Sequence, residues 1–236
     1  MFTVSLLNWK RKKNAIQIIN KLISFELIDE IIVSNGNVEH AIKTEDYIKT
    51  DKVKLFDDSK YNKNYSLELR FLNGIRAKNE NIVIMDDDIL INEDEFNKLV
   101  NLYKNDKDRI IGIFGRKTDK EYDPIHRYGE VDMALTRLLL VQKKICQLFF
   151  ICNPLIEDIY KKGIPYGNGE DIFFSFIANI YFNKKTYCEK TEIENLDPCN
   201  CAISSNGNHV SYRNELCKEL SKRRLLIENF IKNINL

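Results

Sequence analysis

Short apolar runs alternate with helically spaced apolar positions along the first hundred residues. The apolar runs predict strands at residues 2–7, 30–34, 53–56 and 81–85. Between them, apolar residues recur every three or four positions, which predicts helices over residues 12–24 and 65–77. Alternation of this kind is typical of a parallel sheet with helices on both faces. We therefore expect an α/β fold whose ligands bind beyond the carboxyl ends of the strands.

The second half of the chain has a more mixed pattern. Asn92 can cap a helix, and Glu95 three residues later completes a capping-box pattern ahead of an apolar stripe. The members of that stripe are Phe96, Leu99, Val100 and Tyr103. Further strands are predicted at residues 110–114, 135–141 and 145–151, and helices are predicted after Asn153-Pro154 and over residues 171–182 and 213–234. Residues 117–128 and 195–208 read as loops. We see no repeat and no linker, so we expect one domain over residues 1–236.

Three consecutive carboxylates, Asp86, Asp87 and Asp88, directly follow the apolar strand at residues 81–85. Adjacent carboxylates repel one another unless a cation or a set of hydrogen-bond donors neutralises them. Mg²⁺ and Mn²⁺ favour such oxygen ligands and keep positions open for phosphate oxygens. The pattern therefore indicates a divalent-metal site for a nucleotide diphosphate, and the alternative is a solvated acidic turn.

Charge and cysteine content indicate which binding partners and which cellular compartment to expect. Thirty-six basic residues against thirty-five acidic ones leave a net charge of +1, so nucleic acid is not an expected partner. No stretch approaches the ~18 apolar residues of a membrane span, and the first residues do not resemble a secretory signal. The six cysteines lack the CxxC spacing of a zinc site, and a structural role is expected for Cys199 and Cys201. A soluble, reduced, cytoplasmic protein is expected.

Six segments together resemble one known family. They are FTVSLLNWKR, IDEIIVSNGN, VIMDDDILI followed by IIGIFGRK, RYGEVDMA, GNGEDIFFSFIAN, and a histidine and an arginine at positions 209 and 213. In this order and at this spacing they resemble the catalytic domain of the exostosin and exostosin-like glycosyltransferases, glycosyltransferase family 64, over nearly the whole chain. The resemblance implies a GT-A (Rossmann-like) fold with a central, mainly parallel sheet flanked by helices. It also implies a nucleotide-sugar half at about residues 1–91 and an acceptor-binding, catalytic half at about residues 92–236.

The resemblance also implies an activity. Enzymes of this family are retaining transferases that use a UDP-sugar and Mn²⁺, for which Mg²⁺ is an alternative. The expected reaction moves a hexose or an N-acetylhexosamine to a glycan or glycoconjugate acceptor. Carried over by position, Asp88 and Asp86 would hold the metal and Asp87 would lie beside the donor.

Further donor-binding residues follow from the same positions. Asn8, Lys10 and Arg11 would lie by the uridine, Asn35 beside the base or ribose, and Arg70 near the phosphates. For Arg11, the alternative is an ordinary solvated charge in the run KRKK. These residues are spread over the first 70 positions, so their convergence depends on the predicted parallel sheet.

Five residues of the second half are candidates for catalysis or for contacts with phosphate or acceptor. Asp171 would act on the sugar as nucleophile or as stabiliser of the transition state, with Glu170 beside it; its alternative role is a helix cap. Arg213 would stabilise the departing diphosphate, with His209 one helical turn before it. Arg116 could pair with a phosphate or with an acceptor carboxylate. A plain surface position is the alternative for His209.

The chain departs from the family in two places. Two cysteines that form a disulfide in the animal proteins are replaced by Gly169 and Leu216, as a reducing compartment would permit. In LTRLLLVQKK, larger residues replace a small glycine-containing turn near the acceptor, so the acceptor itself is not predicted.

Other functions remain open. A nucleotidyltransferase would share the nucleotide and the metal, although the first 35 residues contain no glycine for the usual phosphate loop. A nucleotide-sugar-binding module without catalytic activity could use the same fold. A phosphohydrolase of the haloacid dehalogenase type is set aside, because that type has a Thr or Val after the second aspartate and a glycine-rich turn near the N-terminus, whereas here Ile89 and Leu90 follow the aspartates after 85 residues of other structure.

Overall fold

The computed structural model describes residues 1–118, 121–161, 169–196 and 209–234, without the side chains of residues 63, 64, 160, 161 and 209–211. In chain order, the elements of the first half are β1 (Phe2–Asn8), α1 (Lys12–Leu22), β2 (Ile28–Asn35), β3 (Val53–Asp57), α2 (Ser59–Tyr65), α3 (Leu69–Arg76), β4 (Asn81–Met85), β5 (Ile89–Ile91) and α4 (Glu93–Asn105). Those of the second half are β6 (Ile111–Gly112), β7 (Gly115–Arg116), β8 (Gly129–Val131), β9 (Met133–Ala134), β10 (Leu138–Gln142), α5 (Lys143–Cys152), α6 (Glu157–Lys161), α7 (Glu170–Phe182), β11 (Thr186–Cys188), β12 (Ile193–Asn195) and α8 (His209–Lys232).

A central sheet of eight strands has the order β3-β2-β1-β4-β10-β6-β11-β8. Its first four strands run parallel to one another, as the alternation of strands and helices predicts. Strand β10 runs antiparallel to both β4 and β6, so the start of β10 meets the carboxyl end of β4. Two-stranded pairs of β5 with β12 and of β7 with β9 lie outside this sheet.

Two hydrophobic clusters cover the two faces of the sheet. Helices α1 and α4 contribute to one cluster, and α3, α5, α7 and α8 contribute to the other. Strand β4 shows the alternation directly, because Val83 and Met85 belong to the first cluster whereas Ile82 and Ile84 belong to the second. The predicted α/β architecture with a mainly parallel sheet between helical layers is thus confirmed.

Several predicted elements differ from the structure. The predicted strand at residues 145–151 is wrong, because this segment lies within α5. The buried side chains of α5 are Ile145, Cys146, Leu148, Phe149 and Cys152. A short apolar run that is buried on so many sides can be read as a helix or as a strand. The predicted helix over residues 65–77 is broken at Ser66, whose φ of 42° ends α2 before a 3₁₀ turn leads into α3. The strand predicted at residues 110–114 is observed as the shorter β6. The strand predicted at residues 135–141 is observed as β10, which begins three residues later and ends one residue later.

The helix predicted after Asn92 is α4, and its capping is simpler than predicted. Asn92 accepts a hydrogen bond from the Glu95 backbone N–H at 2.9 Å, which confirms the cap. The Glu95 carboxylate, however, bonds to Lys98 and to the backbone N–H of Glu192. It therefore ties α4 to the segment before β12 instead of closing a capping box.

Four cysteines among the described residues, Cys146, Cys152, Cys188 and Cys217, are buried free thiols. Cys199 and Cys201 lie outside the described residues. Within the part of the chain that the structure describes, no helix is long and apolar enough to span a membrane.

Glu68 is a buried carboxylic acid at the end of the 3₁₀ turn that leads into α3, and its titration makes the stability of the fold depend on pH. Its side chain receives a hydrogen bond from Asn153, but burial raises its pKa to about 7 from an ordinary 4.5. Between these values the folded protein holds a proton that the unfolded chain has lost, so stability falls as pH rises through this window. Glu68→Gln should remove this loss of stability with rising pH, and at pH 8 it should stabilise the protein by up to about 3 kcal/mol.

Urea unfolding of wild type and Glu68→Gln at pH 4.5, 6 and 8 measures this effect. The exposed carboxylate Glu130, changed to glutamine, is the matched control and should leave the pH profile unchanged. Identical pH profiles for wild type and Glu68→Gln would show that the Glu68 pKa is not raised.

Candidate functional site

The carboxyl ends of β1, β2 and β4 place polar residues at one edge of the sheet. Asn8 at the end of β1 is in register with Asn35 at the end of β2, and Asp86 follows the last residue of β4. This edge is where ligands bind in open α/β sheets. The predicted convergence of residues from the first half of the chain is therefore observed for Asn8, Asn35 and the aspartates.

Asn8 and Asn35 form a buried amide pair. Asn8 Nδ2 donates to Asn35 Oδ1 at 2.9 Å and to the His40 carbonyl at 2.8 Å, and Asn35 Oδ1 also accepts from the Ile42 backbone N–H. These bonds hold the segment that follows β2 against the end of β1. Asn8 Oδ1 is buried without a hydrogen-bond partner among the described residues. Since buried polar atoms are nearly always paired, this oxygen is suited to accept from a ligand.

Arg70 on α3 links the aspartates to the start of α7. Its Nη1 lies 2.7 Å from Asp86 Oδ1 and also contacts Thr136 Oγ1, while its Nε donates to the Leu67 carbonyl at 2.9 Å. Burial of this guanidinium opposes its charge, but the carboxylates of Asp86, Glu170 and Asp171 outweigh burial and raise its pKa. Arg70 is thus a buried cation that faces two separate carboxylate groups.

Asp87 and Asp88 are paired with two further arginines. Arg11 Nη1 lies 2.7 Å from Asp87 Oδ1 and 3.8 Å from Asp88 Oδ2. Arg137 Nη2 lies 3.2 Å from Asp88 Oδ1 and 2.9 Å from Asn195 Oδ1. Burial raises the pKa of Asp87 to about 6, and the Arg11 bond opposes that rise. Together, Asp86, Asp87 and Asp88 with Arg70, Arg11 and Arg137 form the aspartate–arginine cluster.

Arg137 was missed by sequence reasoning. It lies in LTRLLLVQKK, immediately before β10, where the four residues that follow it are apolar and no motif marks it. Because β10 is antiparallel to β4 and Leu138 pairs with Met85, Arg137 falls beside the end of β4. The Asp86 backbone N–H donates to the Arg137 carbonyl at 3.0 Å. Only knowledge of this antiparallel pairing could have pointed to Arg137.

Glu170 and Asp171 open helix α7. Gly169 precedes them with a φ of 106°, a conformation that favours glycine. Glu170 is buried and Asp171 is half-buried, and Asp171 Oδ1 accepts from the Ile172 backbone N–H at 2.8 Å. Burial and the neighbouring Asp171 raise the pKa of Glu170. Burial also raises the pKa of Asp171, against the opposing effects of Arg213 and Arg70.

The start of α7 is packed directly on α8. A side-chain carbon added at Gly169 would lie 2.7 Å from Leu216 Cδ2. These are the two positions at which the resemblance places a disulfide in other family members, so their adjacency agrees with the proposed correspondence of residues. Arg213, less than one helical turn before Leu216, lies with its guanidinium 4.9 Å from the centre of the Tyr122 ring.

Arg116 on β7 lies in a second cluster that includes Tyr122 and His126. It donates to the Gly115 carbonyl at 3.0 Å and to Tyr122 Oη at 3.3 Å, and it contacts both ring nitrogens of His126. Burial and the charges of Arg116 and Arg137 lower the pKa of His126. The Tyr122 side chain thus contacts both Arg116 and Arg213.

Two predicted site residues have no described contact with these clusters. Lys10 is exposed, and its Nζ lies 4.3 Å from the centre of the Trp9 ring. The side chain of His209 lies outside the described part of the structure, although its backbone begins α8. The donor-binding roles of both residues stay predictions.

The aspartates fit a divalent cation that is shared with phosphate. Among the described residues, no group of three or more His, Cys, Asp or Glu side chains could hold a metal ion. Mg²⁺, however, commonly binds through one or two carboxylates together with substrate phosphates. Asp86 and Asp88 each expose about a quarter of the side chain, 25% and 26% respectively, and present oxygen ligands at the sheet edge. This donor set suits Mn²⁺ or Mg²⁺ bound together with a diphosphate.

Comparisons with known proteins identify a family and a fold. The model of the Glycosyl transferase family 64 domain matches residues 2–226. The structure of GalNAc-T7 with UDP, GalNAc and Mn²⁺ superposes with a TM-score of 0.61 at 12% identity, covering 93% of this chain and 48% of that one. The structure of the mannosyltransferase PcManGT from Pyrobaculum calidifontis in complex with GDP-Man and Mn²⁺ gives a TM-score of 0.52 at 11% identity, covering 80% and 54%.

Both solved structures are GT-A glycosyltransferases, which confirms the predicted fold class. The chain spans about half the length of each of these two proteins. A search of curated proteins gave no match.

Proposed function

Because the chain belongs to glycosyl transferase family 64, we propose that it is a metal-dependent, retaining enzyme that uses a UDP-sugar. It would move a hexose or an N-acetylhexosamine to a glycan or glycoconjugate. One observation carries the proposal: Arg70 forms an ion pair with Asp86 at the end of β4, and it lies close enough to the Glu170–Asp171 pair at the start of α7 for those carboxylates to raise its pKa. A diphosphate held at the aspartates would therefore present its sugar to Asp171.

The amide pair at the ends of β1 and β2 supports binding of a uridine. Asn8 Oδ1 is a buried acceptor without a protein partner, and the imide N–H of uracil is a donor of matching chemistry. Asn35 holds the adjoining segment through its bonds to the Ile42 backbone. Arg11 is paired with Asp87, where its charge would face the diphosphate.

Asp86 and Asp88 would hold Mn²⁺ or Mg²⁺, with Asp87 beside them. The cation supplies charge that neutralises the diphosphate and stabilises it as a leaving group. Arg70 is fixed by its bonds to Asp86, Thr136 and the Leu67 carbonyl, so it would meet the phosphates without reorganisation.

Asp171 would act at the anomeric carbon. When the bond from that carbon to the phosphate oxygen breaks, its electron pair goes to the diphosphate, where Arg213 and Arg70 stabilise the charge. The sugar is left electron-poor, and the Asp171 carboxylate on its opposite face either bonds to it or stabilises it. The acceptor oxygen then bonds to the anomeric carbon from the face that the diphosphate left, any bond between that carbon and Asp171 breaks, and the acceptor's proton passes to the departed diphosphate. A net retention of configuration follows from this order.

Arg116, with His126 and Tyr122, would border the acceptor. The cluster lies beside Arg213, because Tyr122 contacts both Arg116 and Arg213. The His126 ring would offer a hydrogen bond to a hydroxyl group, and Arg116 would offer a cation to an acidic group.

Thermal unfolding of the protein with a panel of UDP-, GDP- and CDP-sugars, each with Mn²⁺ or with chelator, tests the proposal. A ligand that binds only the folded state raises the midpoint temperature by mass action. We expect stabilisation by at least one UDP-sugar with Mn²⁺, and none with chelator. Equal stabilisation with excess chelator would contradict the metal site, and stabilisation by GDP- or CDP-sugars alone would contradict the choice of nucleotide.

A further inference from the structure

We propose that Arg137 competes with the divalent cation for Asp88, so that metal and nucleotide diphosphate bind as a pair and not separately. The inference rests on the proposed function, since it concerns the same donor site. It assigns a role to a residue that no motif marks, and it predicts how metal affinity depends on nucleotide.

The charges of the aspartate–arginine cluster motivate this inference. Each of the three aspartates is paired with an arginine, Asp86 with Arg70, Asp87 with Arg11 and Asp88 with Arg137. Their charges cancel. A divalent cation alone would leave about two excess positive charges there, and a UDP-sugar alone would leave about two negative ones. The two together restore neutrality, which favours joint binding.

Of the three arginines in the aspartate–arginine cluster, Arg137 can most readily release its aspartate to another cation. Its contacts to Asp88 measure 3.2 and 3.3 Å, whereas the Arg70–Asp86 and Arg11–Asp87 contacts measure 2.7 Å. Its side chain is 25% exposed, against 6% for that of Arg70. Arg137 therefore holds its aspartate through longer contacts and at a more open position.

Arg137 also keeps other partners when Asp88 is withdrawn. Its Nη2 donates to Asn195 Oδ1 at 2.9 Å, and its guanidinium lies 5.0 Å from the centre of the Phe114 ring. The released guanidinium would stay at the edge of the site, where its charge faces the incoming diphosphate. Breaking the ion pair between Asp88 and Arg137 thus costs little free energy, provided that the diphosphate supplies the replacement anion.

Two titrations test the inference. Mn²⁺ binding to the protein without nucleotide is followed by electron paramagnetic resonance, and UDP binding is followed by calorimetry with Mn²⁺ or with chelator. For wild type, we expect weak Mn²⁺ binding without nucleotide and a gain in UDP affinity of at least about 100-fold with Mn²⁺. Arg137→Gln should bind Mn²⁺ alone at least about 10-fold more tightly than wild type, and the gain in UDP affinity should shrink correspondingly.

Arg224→Gln is the matched control, since it removes an exposed arginine of α8 whose charge partner is Glu228. It should leave both titrations unchanged. Arg137→Lys keeps the charge but loses the planar fork, so it should fall between wild type and Arg137→Gln, and it serves as the second variant if Arg137→Gln does not fold.

Two results would overturn the inference. One is Mn²⁺ affinity that stays at the wild-type value in both Arg137 variants. The other is wild-type protein that binds Mn²⁺ alone as tightly as it does with UDP. Failure of the proposed function would look different, because UDP would then bind neither wild type nor variants under any metal condition.

Discussion

Asp171→Asn is expected to lower kcat by about 10²–10³-fold while leaving donor affinity nearly unchanged. Asp171 is proposed to stabilise positive charge at the anomeric carbon, which develops only as the bond to the diphosphate breaks. An asparagine lacks the negative charge and cannot serve as the nucleophile. Binding of UDP, measured by calorimetry, should therefore survive while turnover is lost.

This substitution also separates catalysis from helix capping. Asparagine Oδ1 can still accept the hydrogen bond from the Ile172 backbone N–H, so α7 should keep its first turn. The midpoint of thermal unfolding should stay close to that of wild type. Near-normal transfer by Asp171→Asn would leave Asp171 only the structural role of bonding the Ile172 backbone N–H in the first turn of α7, whose N-cap is Gly169.

Arg213→Ala is expected to weaken donor binding and to slow transfer, with a combined loss in kcat/KM of about 10²–10³-fold. Arg213 is proposed to meet the diphosphate both before and during its departure. It also lies close enough to Asp171 to lower that carboxyl's pKa, so its removal leaves Asp171 less supported as an anion. Steady-state kinetics and calorimetry on the same preparation separate the two losses.

Arg224→Ala serves as the control for Arg213→Ala, because it lies on the same helix and packs its guanidinium against another aromatic ring, that of Phe176. It should leave kcat/KM at the wild-type value. If Arg213→Ala lowered only thermal stability and kept kcat/KM, its role would be the contact with Tyr122 that the structure displays.

Local patterns were sufficient to predict the part of the fold that positions the aspartates. Strand β4 is a compact apolar run that alternates between the two hydrophobic clusters, and Asn92 caps α4 as its sequence indicates. Both features depend on neighbours a few residues away. The parallel pairing of β1, β2, β3 and β4 then follows from the alternation of strands and helices.

Features that depend on distant neighbours could not be predicted in this way. Helix α5 has a broadly apolar surface because it is covered by the sheet, α3 and α7, and this burial made its sequence resemble a strand. Arg137 reaches Asp88 only because β10 runs antiparallel to β4. The Arg116–His126–Tyr122 cluster likewise requires the pairing of β7 with β9 and of Gly115 with Arg127. None of these pairings leaves a short motif in the chain.

Release of UDP from a UDP-sugar tests the central claim most directly. Purified wild-type protein, Asp88→Asn and Asp171→Asn are incubated with each UDP-sugar that stabilises the wild type, with Mn²⁺ or chelator, and with a mixture of glycan acceptors. We predict UDP release by wild type with Mn²⁺, and a loss of that release with chelator and in both variants. Release that persists in Asp88→Asn or with chelator, or no release by wild type from any sugar that it binds, would contradict the account.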